Sequence, residues 1–188
     1  MGDKSASLFT CRTPAIAAVL PLAFGGFLYL EGRPAWCENG FGIWSAAWTN
    51  CTSQQLFDPY TLSHVLHGVI LYWLLVPLAP KLPLSQRLIA ALAIEIGWEL
   101  LENSAWVIER YRQDTAAFDY SGDSIVNSLG DVLATVAGFA LASRFSWKVS
   151  VAVILSFEIA MLLLARDNLS LNVLMLIHPF EAIKEWQL

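Results

Sequence analysis

Apolar residues gather into five long runs, over 14–30, 62–79, 88–108, 121–142 and 149–165. A helix needs about 17–25 apolar residues to cross a bilayer, so each run predicts a transmembrane helix. A sixth run, 169–177, is too short to span and stops at His178-Pro179. Its continuation from Glu181 to Trp186 is amphipathic, so the tail 169–187 is expected to lie in the interface or re-enter the membrane. No strand pattern and no internal repeat appears. The expected architecture is an all-α, single integral membrane domain over 1–188, with five transmembrane helices, a long outer loop over 31–61 and a C-terminal interfacial or re-entrant helix. The first run follows Lys4 and Arg12, as a signal peptide would. However, Glu31-Gly32-Arg33-Pro34 contains no A-x-A-like cleavage site, so the run is read as an uncleaved helix.

Composition agrees with a lipid environment. The chain has 188 residues, 56% of them hydrophobic and 14% charged, with a mean hydropathy of +0.54. An ordinary soluble domain carries about 25% charged residues. With 11 Lys and Arg against 16 Asp and Glu there is no basic excess, and nucleic acid is excluded as a partner. Placing the N-terminus in the cytoplasm puts Lys4, Arg12, Lys81, Arg87, Arg144 and Lys148 inside, and Arg33, Arg110, Arg112, Arg166 and Lys184 outside. The acids divide more sharply. Asp3 falls inside, whereas Glu31, Glu38, Asp58, Glu109, Asp114, Asp119, Asp167, Glu181 and Glu185 fall outside. Cys37 and Cys51 share the outer loop, where an oxidising compartment permits a disulfide worth about 3 kcal/mol of chain entropy. Two free thiols are the alternative, and Cys11 is expected reduced on the inner side.

The remaining acids lie inside the apolar runs, where an ionisable group costs about 2.5–3.5 kcal/mol to insert and is a functional candidate by default. Glu95, Glu99 and Glu102 are spaced i, i+4, i+7 and occupy one helical face. Asp123, Asn127 and Asp131 repeat this at i, i+4, i+8, and His64 and His67 stand at i, i+3 near the start of the second run. At 1.5 Å per residue these groups reach similar depths, roughly 3–15 Å below the outer face. Carboxylates so placed repel one another unless protons, cationic partners or a metal neutralise them. Imidazole with carboxylate suits zinc or another divalent transition metal, and oxygen-rich sets suit magnesium, manganese or calcium. The spacing is not H-E-x-x-H, and no Walker A loop, G-x-S-x-G elbow, dinucleotide fingerprint or c-type haem motif is present. Structural readings stand beside these. The histidines could bond loop carbonyls, Asp123 could cap the fourth helix, Glu102 and Asn103 could pair with Arg110 or Arg112, and Glu158 could pair with Arg144 or with another helix.

The pattern His64-x-x-His67, Glu99-x-x-Glu102 and Asp123-x-x-x-Asn127-x-x-Gly130 is similar to that of the VanZ-like group of small bacterial membrane proteins. Most of 14–187 also resembles a family of uncharacterised short bacterial inner-membrane proteins. That likeness rests on Glu95-Ile96-Gly97-Trp98-Glu99-Leu100-Leu101-Glu102-Asn103, on Asp119 to Asp131, and on Asp167-Asn168-Leu169-Ser170-Leu171-Asn172-Val173-Leu174. It implies a multi-pass inner-membrane protein and no particular activity. The expected function is a metal-assisted enzyme acting on a lipid head group or lipid-linked substrate at the outer face. His64, His67, Glu99 and Asp123 would be metal ligands for zinc, manganese or magnesium. Glu102 would be the general base oriented by Asp131 and Asn127, with Glu95 in the same catalytic set. Trp36, Trp44 and Trp48 would make the outer loop a lid. The alternatives are a proton- or cation-binding subunit of a larger complex, using the same acids as a relay, and a scaffold with a satisfied polar core. Membrane lipids are the expected partners, with a homo-oligomer left open.

Overall fold

The computed structural model describes residues 13–117 and 119–188, so the expectations on Asp3, Lys4, Cys11 and Arg12 lie outside the described residues. Eight helices follow one another: α1 (Thr13–Leu30), α2 (Thr61–Leu75, extended by a 3-10 turn, Val76–Leu78), α3 (Leu84–Glu102), α4 (Ala105–Asp114), α5 (Ile125–Arg144), α6 (Trp147–Ala165), α7 (Leu169–Ile177) and α8 (Glu181–Gln187). The all-helical expectation holds, with no strand among the described residues.

Among the described residues three helices, not five, are long and apolar enough to cross a membrane: Thr61–Leu78, Ile125–Arg144 and Trp147–Ala165. Three such helices point to a membrane-associated protein. Of the other two expected spans, α1 offers a shorter apolar helix, Ala15–Leu30. Helix α3 carries Arg87, Glu95, Glu99 and Glu102, too many charges for its length. The run 88–108 is also not one helix. α3 stops at Asn103, and Ser104 caps α4 by accepting a hydrogen bond from Val107 N. The fourth helix starts at Ile125 rather than Ser121, because Gly122 holds φ +82° and Ser124 accepts from Asn127 N as the cap. Ser124 thus performs the capping that the sequence offered to Asp123.

The helices pack around Phe24, Leu28, Leu71, Leu88, Leu92 and Phe139. The tightest approach is between α2 and α5, where two glycines face the partner backbone. A Cβ on Gly68 would lie 2.0 Å from the Thr135 carbonyl oxygen, and one on Gly138 would lie 2.0 Å from that of Val65. Small residues let helix backbones meet in this way. Across the contact the Thr135 hydroxyl donates to the His64 carbonyl at 2.9 Å.

The loop between α1 and α2 folds over one end of this pair. A Cys37–Cys51 disulfide closes it, so the two thiols are not free. Asn127 Nδ2 donates to the Gln55 carbonyl (2.9 Å) and Trp48 Nε1 to that of Ala165 (3.1 Å). Asp58, expected only to fall in the outer loop, is buried and accepts from Ser53 N, Tyr60 N and Thr61 N at the start of α2. At this same end of α6, Arg166 turns the chain in the left-handed conformation, and Glu158 accepts from Leu169 N and Ser170 N at the first turn of α7. Those two bonds tie Glu158 to another helix, one of its two expected partners, rather than to Arg144. Asp167 in this corner is buried, and burial pushes its carboxyl up to about 6.

Two outcomes follow from the packing. Gly68→Ala should destabilise the protein by about 1–3 kcal/mol or abolish folding. Gly97→Ala, whose Cβ would meet nothing within 4 Å, should be neutral or stabilising. Equal denaturation midpoints for the two variants in detergent would refute the α2–α5 contact. Asp167 takes up its proton more readily folded than unfolded. Its contribution is therefore full below about pH 4 and is lost as pH rises through about 6, by up to about 3 kcal/mol. Asp167→Asn should remove that slope. Parallel profiles of melting temperature against pH for wild type and variant would refute it.

Candidate functional site

The α2–α5 contact and the packing of α3 beside them bring both acidic stripes to the two histidines. His64 Nδ1 lies 2.6 Å from Glu95 Oε1 and 3.4 Å from Glu99 Oε1, and its Nε2 lies 3.9 Å from Asp131 Oδ2. His67 Nδ1 lies 3.1 Å from Glu95 Oε2. Glu95 therefore receives both imidazoles through Nδ1 and leaves each Nε2 for another role, a carboxylate–histidine arrangement familiar around metals. The sequence had paired the histidines with Glu99 as co-ligand. The structure adds Glu95, one helical turn away, as their nearest partner.

The other carboxylates are less well satisfied. Glu99 is fully buried and both its oxygens lack a hydrogen-bond partner among the described residues. Glu102 Oε2 and Asp131 Oδ1 share that state. Buried polar atoms without partners are rare enough to need a cause. Two groups of donors approach within 4.8 Å of one another: His64, His67 and Glu95, and His64, Glu99 and Glu102.

The remaining expected site residues are occupied elsewhere. Asp123 accepts from the Tyr120 hydroxyl (3.0 Å) and from Asn103 Nδ2 (3.2 Å), while its own backbone N donates to Asn103 Oδ1 (2.7 Å). Burial raises its carboxyl above the ordinary range, against the lowering effect of the Tyr120 bond. Asn127 holds the loop through Gln55 rather than orienting Glu102. Glu102 and Asn103 do not take Arg110 or Arg112, which bond the Leu176 and Tyr120 carbonyls. Instead Glu102 Oε1 accepts from the Tyr111 hydroxyl at 3.1 Å, and that hydroxyl also reaches Asn172 Oδ1 at 2.9 Å. Tyr111, Tyr120 and Asn172 were not expected at the site. Tyr111 and Tyr120 follow the third run in an unpatterned stretch, and Asn172 is 61 residues from Tyr111.

These groups line a cavity of about 300 Å³ at the loop-covered end of α2, α3 and α5. His64, His67, Glu102 and Asp131 line it together with Trp48, Tyr111 and Asn172. Of the three expected lid tryptophans, only Trp48 lines it; Trp36 and Trp44 are half-exposed outside.

A family profile described as "Protein of unknown function (DUF2585)" matches residues 28–188. A "UPF0314 protein" of Brucella anthropi is 52% identical over 162 residues, covering 86% of this chain and 83% of that one. Similar proteins of the same name occur in Sphingopyxis alaskensis, at 45% identity over 92% of this chain and 93% of that one, and in Paracoccus denitrificans, at 41% over 96% and 95%. No solved structure matches. These matches lend no support to the VanZ-like resemblance. They do bear out the broader one: the chain belongs to the DUF2585 (UPF0314) family of bacterial proteins, a family of unknown function.

Proposed function

We propose that this chain is a metal-assisted membrane enzyme that hydrolyses, or transfers a group from, a lipid head group or lipid-linked substrate at the outer face of a bacterial inner membrane. The observation that carries the reading is the set of unpartnered buried carboxylate oxygens on Glu99, Glu102 and Asp131 around His64. A divalent cation would satisfy them, and the donor set His64, Glu99 and Glu102 fits zinc, manganese or magnesium. Such an ion supplies polarisation of a phosphoryl or acyl oxygen.

The geometry supports different roles for several residues than the sequence did. Glu95 orients His64 and His67 through their Nδ1 atoms. Glu102 joins the ligand set, because Tyr111 occupies one of its oxygens and leaves the other unpaired. Asp131, which lines the cavity and keeps a buried Oδ1 without a partner, becomes the general base. Asp123 and Asn127 shape the wall and hold the loop. The disulfide supports placing that loop in an oxidising compartment.

A second reading is favoured by the hydrogen-bonded series His67–Glu95–His64, with steps of 3.1 and 2.6 Å, and by Asp131 Oδ2 standing 3.9 Å from His64 Nε2. Protons rather than a metal could neutralise the acids, making the chain a proton- or cation-binding subunit of a larger complex.

Metal analysis of detergent-purified protein separates the two. Wild type should hold about one divalent ion per chain, and His64→Ala and Glu99→Gln should each lower affinity by about 10-fold or more. A metal-free wild type sinks the enzyme mechanism. On the relay reading, Glu95→Gln and Asp131→Asn should abolish a proton or cation flux in liposomes, and an unchanged flux removes it.

A further inference from the structure

We propose that the cavity recognises an organic cation, an amine or quaternary ammonium group, rather than an anionic head group. The inference deepens the reading of this cavity as a substrate site, and rests on it for location, but does not require the metal. Glu102, Asp119, Asp123, Asp131 and Asp167 line the cavity, and no Lys or Arg does so among the described residues. The guanidinium groups around it are already committed. Arg33 donates to the Ser121 and Asp123 carbonyls, Arg112 to that of Tyr120, and Arg110 to that of Leu176 while pairing with Asp114. A phosphate or carboxylate entering here would meet five acidic side chains, and the basic groups among the lining residues are His64 and His67, both already held by Glu95.

Two further observations point to a cation. Asp131 is only 4% exposed, lines the cavity and has an unpartnered oxygen, a charge-assisted acceptor waiting for a donor. The walls are also aromatic: Trp48, Trp98, Tyr60, Tyr111 and Tyr120 all contribute. Ring faces attract ammonium groups, and aromatic cages are a recurrent way of holding quaternary amines. At about 300 Å³ the space suits a head group and not a whole lipid. The cation could be carried by a zwitterionic lipid or by a water-soluble amine. The shared chemistry is the positively charged nitrogen.

The test uses the full chain in detergent with chelator present, reading binding by isothermal titration calorimetry. The probes are short-chain phosphatidylethanolamine, phosphatidylcholine and phosphatidylglycerol, with free ethanolamine and tetramethylammonium as competitors. The amine-headed lipids should bind at least about 10-fold more tightly than the glycerol-headed one, and the free cations should displace them. Tighter binding of lipid than of free cation identifies a head group as the source; the reverse identifies a soluble amine, and both support the proposal. Asp131→Asn and Trp98→Leu should each weaken binding by about 5-fold or more. If Asp131→Asn does not fold, the probe panel on wild type still decides. Equal or tighter binding of phosphatidylglycerol, or no saturable binding of any cation, overturns the proposal. Because chelator is present throughout, loss of the metal reading leaves this result intact.

Discussion

The backbone contact between α2 and α5 is the constraint on which the rest of the site depends. It exists because Gly68 and Gly138 present no side chain where the opposing carbonyl oxygens stand 2.0 Å from any Cβ. The approach puts His64 on α2 beside Asp131 on α5 and aligns Thr135 with the His64 carbonyl. Gly130 extends the same logic, since a Cβ there would lie 2.1 Å from the Leu56 carbonyl and push the loop away. Three glycines thus set the spacing of two helices and the loop that covers them.

Close approach has an electrostatic consequence. Glu95, Glu99, Asp131 and His64 are all buried, and one imidazole stands among three carboxylates. Breaking a buried ion pair typically costs about 3–5 kcal/mol, because the surviving charge is left uncompensated. Glu95 escapes that penalty by holding both histidines, whereas Glu99 does not. The structure keeps Glu99 unsatisfied behind His64, which lines the cavity. That is how functional sites commonly store unfavourable energy.

Around this core the chain spends its remaining polar groups on architecture. Asp58 starts α2, Glu158 starts α7, and Asn103 clamps the Asp123 segment to the end of α3. Several of these were legible. Asp58-Pro59 before an apolar run and Asn103-Ser104 inside one are helix-boundary signals, and they explain why the run 88–108 became two helices. The stripes Glu95–Glu99–Glu102 and Asp123–Asn127–Asp131 were legible from periodicity alone. The contribution of Tyr111 with Asn172 was not, since it depends on α7 returning to α4.

The sequence by itself determined that this chain is helical, that its apolar runs belong with lipid, and that its misplaced acids lie at one end of the bundle. Those follow from composition and from the 3.6-residue period, which are properties of a single helix. Which acid meets which histidine was decided only by tertiary structure. Residues one turn apart are separated by about 5.4 Å along a helix, and periodicity cannot distinguish Glu95 from Glu99 as the nearer partner. The axial register of α2, α3 and α5 makes that choice, and the helix contacts that set it become visible only when the backbones are in place.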